Sequence, residues 1–292
     1  MNDNDLAVRV RGLVKRYPDK VAVAGVDLDI RHGEVFALLG PNGAGKTTTT
    51  EILEGYRRAD EGDVRVLGID PAHADRHWRA RIGIVAQSSR EEAELSVAEL
   101  VQHFARYYPN PRDPDEVIAS VGLEDKRKTR TRKLSGGQRR RLDVALGVIG
   151  NPDLLFLDEP TTGFDPEARR HFWTLIENLR TAGTTILLTT HYLDEAEHLA
   201  DRVGVIADGR MLEVATPDTL GGRGARTARV SWLDADGAHE IRTDEPTAEL
   251  ARLMLRFDGE IPELQIRRPS LEDIYLDLIG AVDADALEGA TR

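Results

Sequence analysis

Nine consecutive residues, Gly40-Pro41-Asn42-Gly43-Ala44-Gly45-Lys46-Thr47-Thr48, have the types and spacing to hold a phosphate. They fit the pattern G-x-x-x-x-G-K-[ST]. Glycines in such a turn free the backbone to aim several N–H groups at one anion. A helix opening at Thr48 adds its partial positive charge. Lys46 is then placed to reach β- and γ-phosphates, and the Thr47 hydroxyl to sit on Mg²⁺. The spacing predicts a nucleotide-binding loop.

A pair of carboxylates, Asp158-Glu159, follows the apolar run Leu154-Leu155-Phe156-Leu157. Downstream of a phosphate loop, Asp158 is expected to hold Mg²⁺, through water, and Glu159 to orient or deprotonate the attacking water. His191 ends another apolar run, Thr184 to Thr190, where an imidazole can donate a hydrogen bond to a γ-phosphate. Gln87 ends an alternating segment, and its carbonyl oxygen can coordinate Mg²⁺ or water. Leu134-Ser135-Gly136-Gly137-Gln138 joins a helix cap to two glycines. Ser135 caps the helix and the glycines expose backbone N–H groups, so this is a second anion site, far from the first along the chain. Tyr17, beside Pro18, offers a ring that can stack on a base or serve as an ordinary half-buried turn residue.

These residues need elements to place them. Val35 to Leu39, Leu154 to Leu157 and Thr184 to Thr190 read as strands buried on both faces. Val8 to Arg11 and Val26 to Ile30 alternate and read as strands with one buried face, with short strands following at 62–68 and 80–87. Helical spacing appears over Val97 to Tyr108 and again over Asp115 to Val121, giving a helical insertion at about 90–150. Further helices are expected from the signature-like run to Gly147, from Pro166 to Ala182, and over Leu193 to Leu199. A hairpin turning at Asp208-Gly209 precedes Thr216-Pro217. Beyond the glycine-rich 221–224, residues 221–280 read as a small accessory domain of strands and one amphipathic helix, with no chemical motif. Residues 281–292 read as a disordered tail.

The chain of 292 residues is long enough for one large α/β domain and a smaller appendage. Its formal net charge of −12 argues against a general affinity for nucleic acid. With no cysteine, disulfides and thiolate metal sites are excluded. The basic run from Lys126 to Arg141 is read as a solvated surface near phosphate rather than a nucleic-acid patch. No signal peptide or membrane-spanning run is present.

The order of these motifs resembles the ATP-binding subunits of ABC transporters over about residues 6–217. Gly40 to Thr48 resembles Walker A, Gln87 the Q-loop, Leu134 to Gln138 the signature, and Leu154 to Glu159 Walker B with its catalytic glutamate. Gly163 to Pro166 is similar to the D-loop and His191 to the switch histidine, and Tyr17 falls where the family's adenine-stacking aromatic sits. The resemblance implies an α/β P-loop cassette: a RecA-like core with an antiparallel β subdomain and a helical subdomain, plus the small α+β C-terminal domain. It implies ATP and Mg²⁺ as cofactors, with Glu159, His191 and Lys46 catalytic. Two cassettes would meet head to tail, each ATP lying between Walker A of one and the signature of the other. Closure would act on a separate polytopic membrane permease through a groove near Gln87, the chain being peripheral on the cytoplasmic face of the membrane. Leu188 to Glu197 and Arg268 to Leu276 are similar to the daunorubicin and multidrug-resistance exporter group. Phe164 departs from the usual D-loop leucine, and Ser88 to Glu94 is more acidic than that group leads one to expect. An exporter ATPase for a drug, antibiotic or lipid-like compound is the leading expectation. A non-transport clamp on DNA or ribosomes and a nucleotide-gated regulator are the competing classes.

Overall fold

Each central strand of the computed structural model buries both its faces, because its apolar residues alternate between two cores. Phe36 and Leu38 point into one core and Val35 into the other; Leu154 and Phe156 face the first, Leu155 and Leu157 the second. The structure describes residues 5–86, 94–222, 227–257 and 259–290, with side chains as far as Gly280. By its contacts the chain divides between Leu212 and Glu213, a few residues before the expected boundary at 217.

In the first unit, β1 (Leu6–Tyr17) and β2 (Lys20–Arg31) form a long antiparallel hairpin. Then come β3 (Val35–Leu39), α1 (Lys46–Leu53), β4 (Glu61–Val66), α2 (Arg76–Arg79) and β5 (Ile82–Val85). The helical insertion holds α3 (Val97–Ala105), α4 (Pro114–Ser120) and α5 (Gly136–Val148). Both α3 and α5 open on capping boxes, Ser96 with Glu99 and Ser135 with Gln138, which satisfy N-terminal N–H groups reciprocally. β6 (Leu154–Asp158), α6 (Pro166–Thr181), β7 (Thr185–Thr189), α7 (Leu193–Leu199) and β8 (Arg202–Ala207) follow, and β9 (Arg210–Ala215) runs across the division.

These strands make a three-stranded sheet, ordered β2-β1-β4, and a six-stranded sheet, ordered β5-β6-β7-β3-β8-β9. One core packs between the two sheets around Val8, Val26, Ile30, Phe36 and Phe156. The other packs the opposite face of the large sheet on α3, α5 and α6 through Val101, Leu142, Phe172 and Ile176. Fully burying such a side chain stabilises by roughly 1.5–3 kcal/mol. The parallel register places Leu38 beside Thr189, and Thr189 beside Asp158. Three strands therefore end together, and the loops leaving them share one edge of the sheet. Among the described residues, no helix is long and apolar enough to cross a membrane.

The second unit holds β10 (Ala228–Asp234), β11 (Gly237–Thr243), α8 (Pro246–Arg256), β12 (Gln265–Arg267) and α9 (Leu271–Ala290). Its sheet is antiparallel, with β10 between β11 and β12. Val230, Trp232, Leu253 and Ile261 form its core. The tail expected to be disordered from residue 281 is helical as far as Ala290. Residues 281–290 hold four alanines and no proline, and the helix begun at Leu271 continues through them. Arg223 and Gly224 of the expected linker lie outside the described residues.

Candidate functional site

The turn after β3 is shaped by backbone that a side chain would obstruct. A Cβ at Gly40 would stand 2.2 Å from the Ile206 carbonyl oxygen. Gly45 has φ +108°, and a Cβ there would meet the Ala22 carbonyl oxygen at 2.5 Å. Gly45 also precedes α1 without any side-chain cap, and the first turn of α1 has no acidic residue. Its leading N–H groups are thus open to an anion.

Lys46 folds back over this loop, its Nζ donating to the carbonyls of Gly40 at 2.6 Å and Pro41 at 3.1 Å. Burial lowers its pKa, while Glu159 and Asp158 pull the other way. Lys20, a residue the sequence motifs do not flag, donates to the Gly43 carbonyl at 2.7 Å. It comes from the start of β2, so only the fold brings a second cation to the loop. Tyr17, at the end of β1, is 36 % exposed, with Lys15 Nζ and Arg57 Cζ 5.9 and 5.8 Å from its ring centroid.

Asp158 ends β6 and accepts a hydrogen bond from the Thr189 hydroxyl on the neighbouring strand. Asp158 and Thr47 line the same cavity, of about 750 Å³. A carboxylate and a hydroxyl are hard oxygen donors of the kind that hold Mg²⁺ while it keeps several waters. Gln87, the third expected ligand, lies outside the described residues, as do residues 88–93 of the acidic segment. Glu54 lines this cavity too; its pKa is pushed up to about 7 by burial first, then by Asp158 and Glu51. Its local sequence does not signal this, because burial, the main cause, and the Asp158 carboxylate brought in by β6 both come from the fold.

Glu159 has φ +46°, in the left-handed region that residues other than glycine rarely adopt. Its N–H donates to the Thr189 carbonyl at 3.0 Å. Its Oε1 lies 3.3 Å from His191 Nδ1. The structure thus unites the two expected catalytic side chains directly, where the sequence had aimed His191 at a phosphate. His191 rests against the Tyr192 ring at 4.1 Å, and Arg169 covers that ring at 4.7 Å. Beneath these loops Glu195 is fully buried; burial raises its pKa against the opposing effect of the Thr190 and Thr161 hydroxyls.

The second expected anion site stands apart. The Ser135 hydroxyl accepts from Gln138 N–H at 3.3 Å, and Gln138 Oε1 accepts from Ser135 N–H at 3.1 Å. Ser135 and Gly136 are exposed. A Cβ on Gly137 would come within 3.3 Å of the Gly163 carbonyl oxygen, so the signature packs on the turn before α6. Among the described residues, no hydrogen bond joins residues 135–138 to the phosphate loop. Phe164 in that turn is 8 % exposed and meets Phe172 edge-on at 6.0 Å, which accounts for a bulky apolar residue there.

The basic run is solvated at Lys128, Arg130, Arg132 and Lys133, as read, and departs from that reading at Arg139 to Arg141. Arg130 and Arg132 pair with Glu94, and Arg127 with Asp115. Arg139 donates to the Thr131 carbonyl at 2.6 Å and Arg141 to that of Gly122 at 2.8 Å, while Arg140 is buried. Successive helical positions face different ways, so three adjacent arginines find three sets of partners.

A sequence profile described as ABC transporter matches residues 23–162. Daunorubicin resistance ATP-binding protein DrrA3 of Streptomyces coeruleorubidus is 37 % identical, over 94 % of this chain and 96 % of its own. The Nod factor export ATP-binding protein I of Ralstonia nicotianae is 44 % identical, over 72 % of this chain and 67 % of its own. Among solved structures, an ATP-binding subunit of an ABC transporter aligns with a TM-score of 0.71 at 21 % identity, over 94 % of this chain and 99 % of that one. A dimeric ATP-binding cassette in a post-hydrolysis state, bound to ADP and Pi, aligns with a TM-score of 0.65 at 24 % identity, over 72 % and 98 %. With its phosphate loop, signature and Asp158-Glu159-His191 edge in place, the chain belongs to the ABC transporter family as one of its ATP-hydrolysing, ATP-binding cassettes.

Proposed function

We propose that the chain drives an exporter, dimerising around two ATP and working a separate membrane permease that moves a drug, antibiotic or lipid-like compound. The observation behind this reading is that one chain presents two anion sites that do not meet within it, the Gly40–Thr48 loop and the capped start of α5. A second copy turned head to tail lets each complete the other's pocket. The export role is supported by relatives named for daunorubicin resistance and Nod factor export.

In this reading the N–H groups of the loop and the Lys46 ammonium bind the β- and γ-phosphates, and Tyr17 stacks on the adenine. Thr47, Asp158 and Gln87 hold Mg²⁺, which when bound neutralises phosphate charge. The Glu159 carboxylate accepts a proton from water as its oxygen attacks the γ-phosphorus and the bond to the bridging oxygen breaks, leaving ADP and phosphate. A positioned base of this kind contributes roughly 10²- to 10⁴-fold in rate. His191, 3.3 Å from Glu159 in the free chain, is placed to turn its donor to the γ-phosphate instead. Glu159→Gln removes the base and leaves the binding groups intact, so it should bind ATP and remain closed on its partner. Recovered from its native cells with ATP in gentle detergent, this variant is expected to bring down a polytopic membrane protein in stoichiometric amount. Recovery of ribosomes, DNA or soluble proteins alone would overturn the transport reading.

A further inference from the structure

Arg140 is a guanidinium buried to 7 % exposure with no carboxylate among its hydrogen-bond partners in the described residues. Burying a cation costs several kcal/mol unless its donors are satisfied. Here they are satisfied by backbone. Arg140 donates to the carbonyls of Ala86, Asp158, Glu159 at 3.1 Å and Pro160 at 3.2 Å. Ala86 follows β5 and is the last described residue before Gln87. The other three are the residues where β6 delivers its carboxylates. A planar fork with five donors can span such a set of carbonyls; a lysine ammonium, a point charge with three, cannot do so in one geometry.

Glu159 shows what this span is for. A left-handed φ at a residue other than glycine is strained and persists where the surroundings over-determine it. The Glu159 N–H is fixed by the Thr189 carbonyl, and its own carbonyl by Arg140. Both peptide groups flanking its Cα are thereby held, since the preceding carbonyl, of Asp158, is also bound by Arg140. Hence the direction of the Glu159 side chain follows from where Arg140 stands. Arg140 in turn stands on α5, two residues past the signature that α5 presents to solvent.

We propose that Arg140 is a positioning residue: it locks the backbone of Glu159 to the signature helix, so that an anion docking on one chain's signature is felt at that same chain's general base. The proposal rests on the reading of Glu159 as the base. It supplies a path by which the ATP held against α5, which belongs to the neighbour's pocket, sets the readiness of the chain's own site.

The test replaces Arg140 by Lys, which keeps the charge, and by Met, which keeps apolar bulk. Both variants are expected to bind ATP with KM within about twofold of the parent while kcat falls about ten- to a hundredfold, the scale on which a misplaced catalytic group is felt. Lys should rescue little, because the fork and not the charge does the spanning. In a Glu159→Gln background, adding Arg140→Lys should lower the residual rate no further, since Arg140 acts through Glu159. Parental kcat in both folded variants, or additive losses in the double variant, would overturn the proposal. If Lys46→Ala abolishes hydrolysis and Glu159→Gln leaves only a small residual rate in the same assays, the ATPase reading survives that failure; if Glu159→Gln hydrolyses ATP normally, that reading falls with it. Should neither Arg140 variant fold, hydrogen exchange on the Glu159→Gln chain needs no change at Arg140. Adding ATP should protect residues 136–142 and 156–162 together, and protection of one without the other would contradict the link.

Discussion

The phosphate loop and the catalytic turn leave parallel strands of one sheet, β3 and β6 with β7 between them, yet they are held by different means. The loop is closed by its own lysine, Lys46 binding the carbonyls of Gly40 and Pro41, although Gly40 and Gly45 also lie against the backbones of Ile206 and Ala22 and Lys20 reaches Gly43. The turn at Asp158 to Pro160 is shaped from outside, by Thr189 on β7, His191 beyond it and Arg140 on α5. A locally determined site tolerates movement of the surrounding elements. A site held by three separate elements registers it. The difference fits the proposed function, in which one chain binds nucleotide and two assembled chains hydrolyse it.

Removing the loop's own cation is the largest expected effect. Lys46→Ala should abolish measurable ATP turnover, because phosphate charge is then met by N–H groups alone; turnover near the parental rate would refute the assignment of this loop. On the other side, Thr189→Val removes the hydroxyl that orients Asp158 but keeps a branched strand residue. A hydrogen bond to a charged group contributes about 1.5–3 kcal/mol. Steady-state kinetics should therefore show kcat reduced by roughly tenfold or more, equivalent to about 1.4 kcal/mol per decade, with ATP affinity little changed. A variant that lost affinity instead of turnover would erase the distinction between the two regions.

The same distinction explains what was legible in the sequence. The phosphate loop and the signature are contiguous, and their geometry follows from glycines, caps and strand ends within a dozen residues, so both could be read directly. The buried strands were legible because continuous apolar runs have one common solution, and their register then aligns Leu38, Thr189 and Asp158. Lys20 and Glu54 were not legible. One reaches the loop from the start of β2, and the other is perturbed first by burial and then by a carboxylate about a hundred positions away. Arg140 was misread, because a run of like charges in sequence says nothing about which member a helix turns inward. The helical continuation to Ala290 was missed because composition near a chain's end was taken as disorder, although four alanines and the absence of proline let the helix run on.

The central claim is that neither anion site is complete in one chain. Its most direct test is the mass of the purified Glu159→Gln chain by light scattering, with and without Mg²⁺ and ATP, alone and together with its membrane partner. A monomer without nucleotide that becomes a dimer with ATP, and reverts to monomer when Ser135 at the signature is also replaced by a bulky residue, is the result predicted. A chain that stays monomeric with saturating ATP, alone and with the partner, would contradict the account.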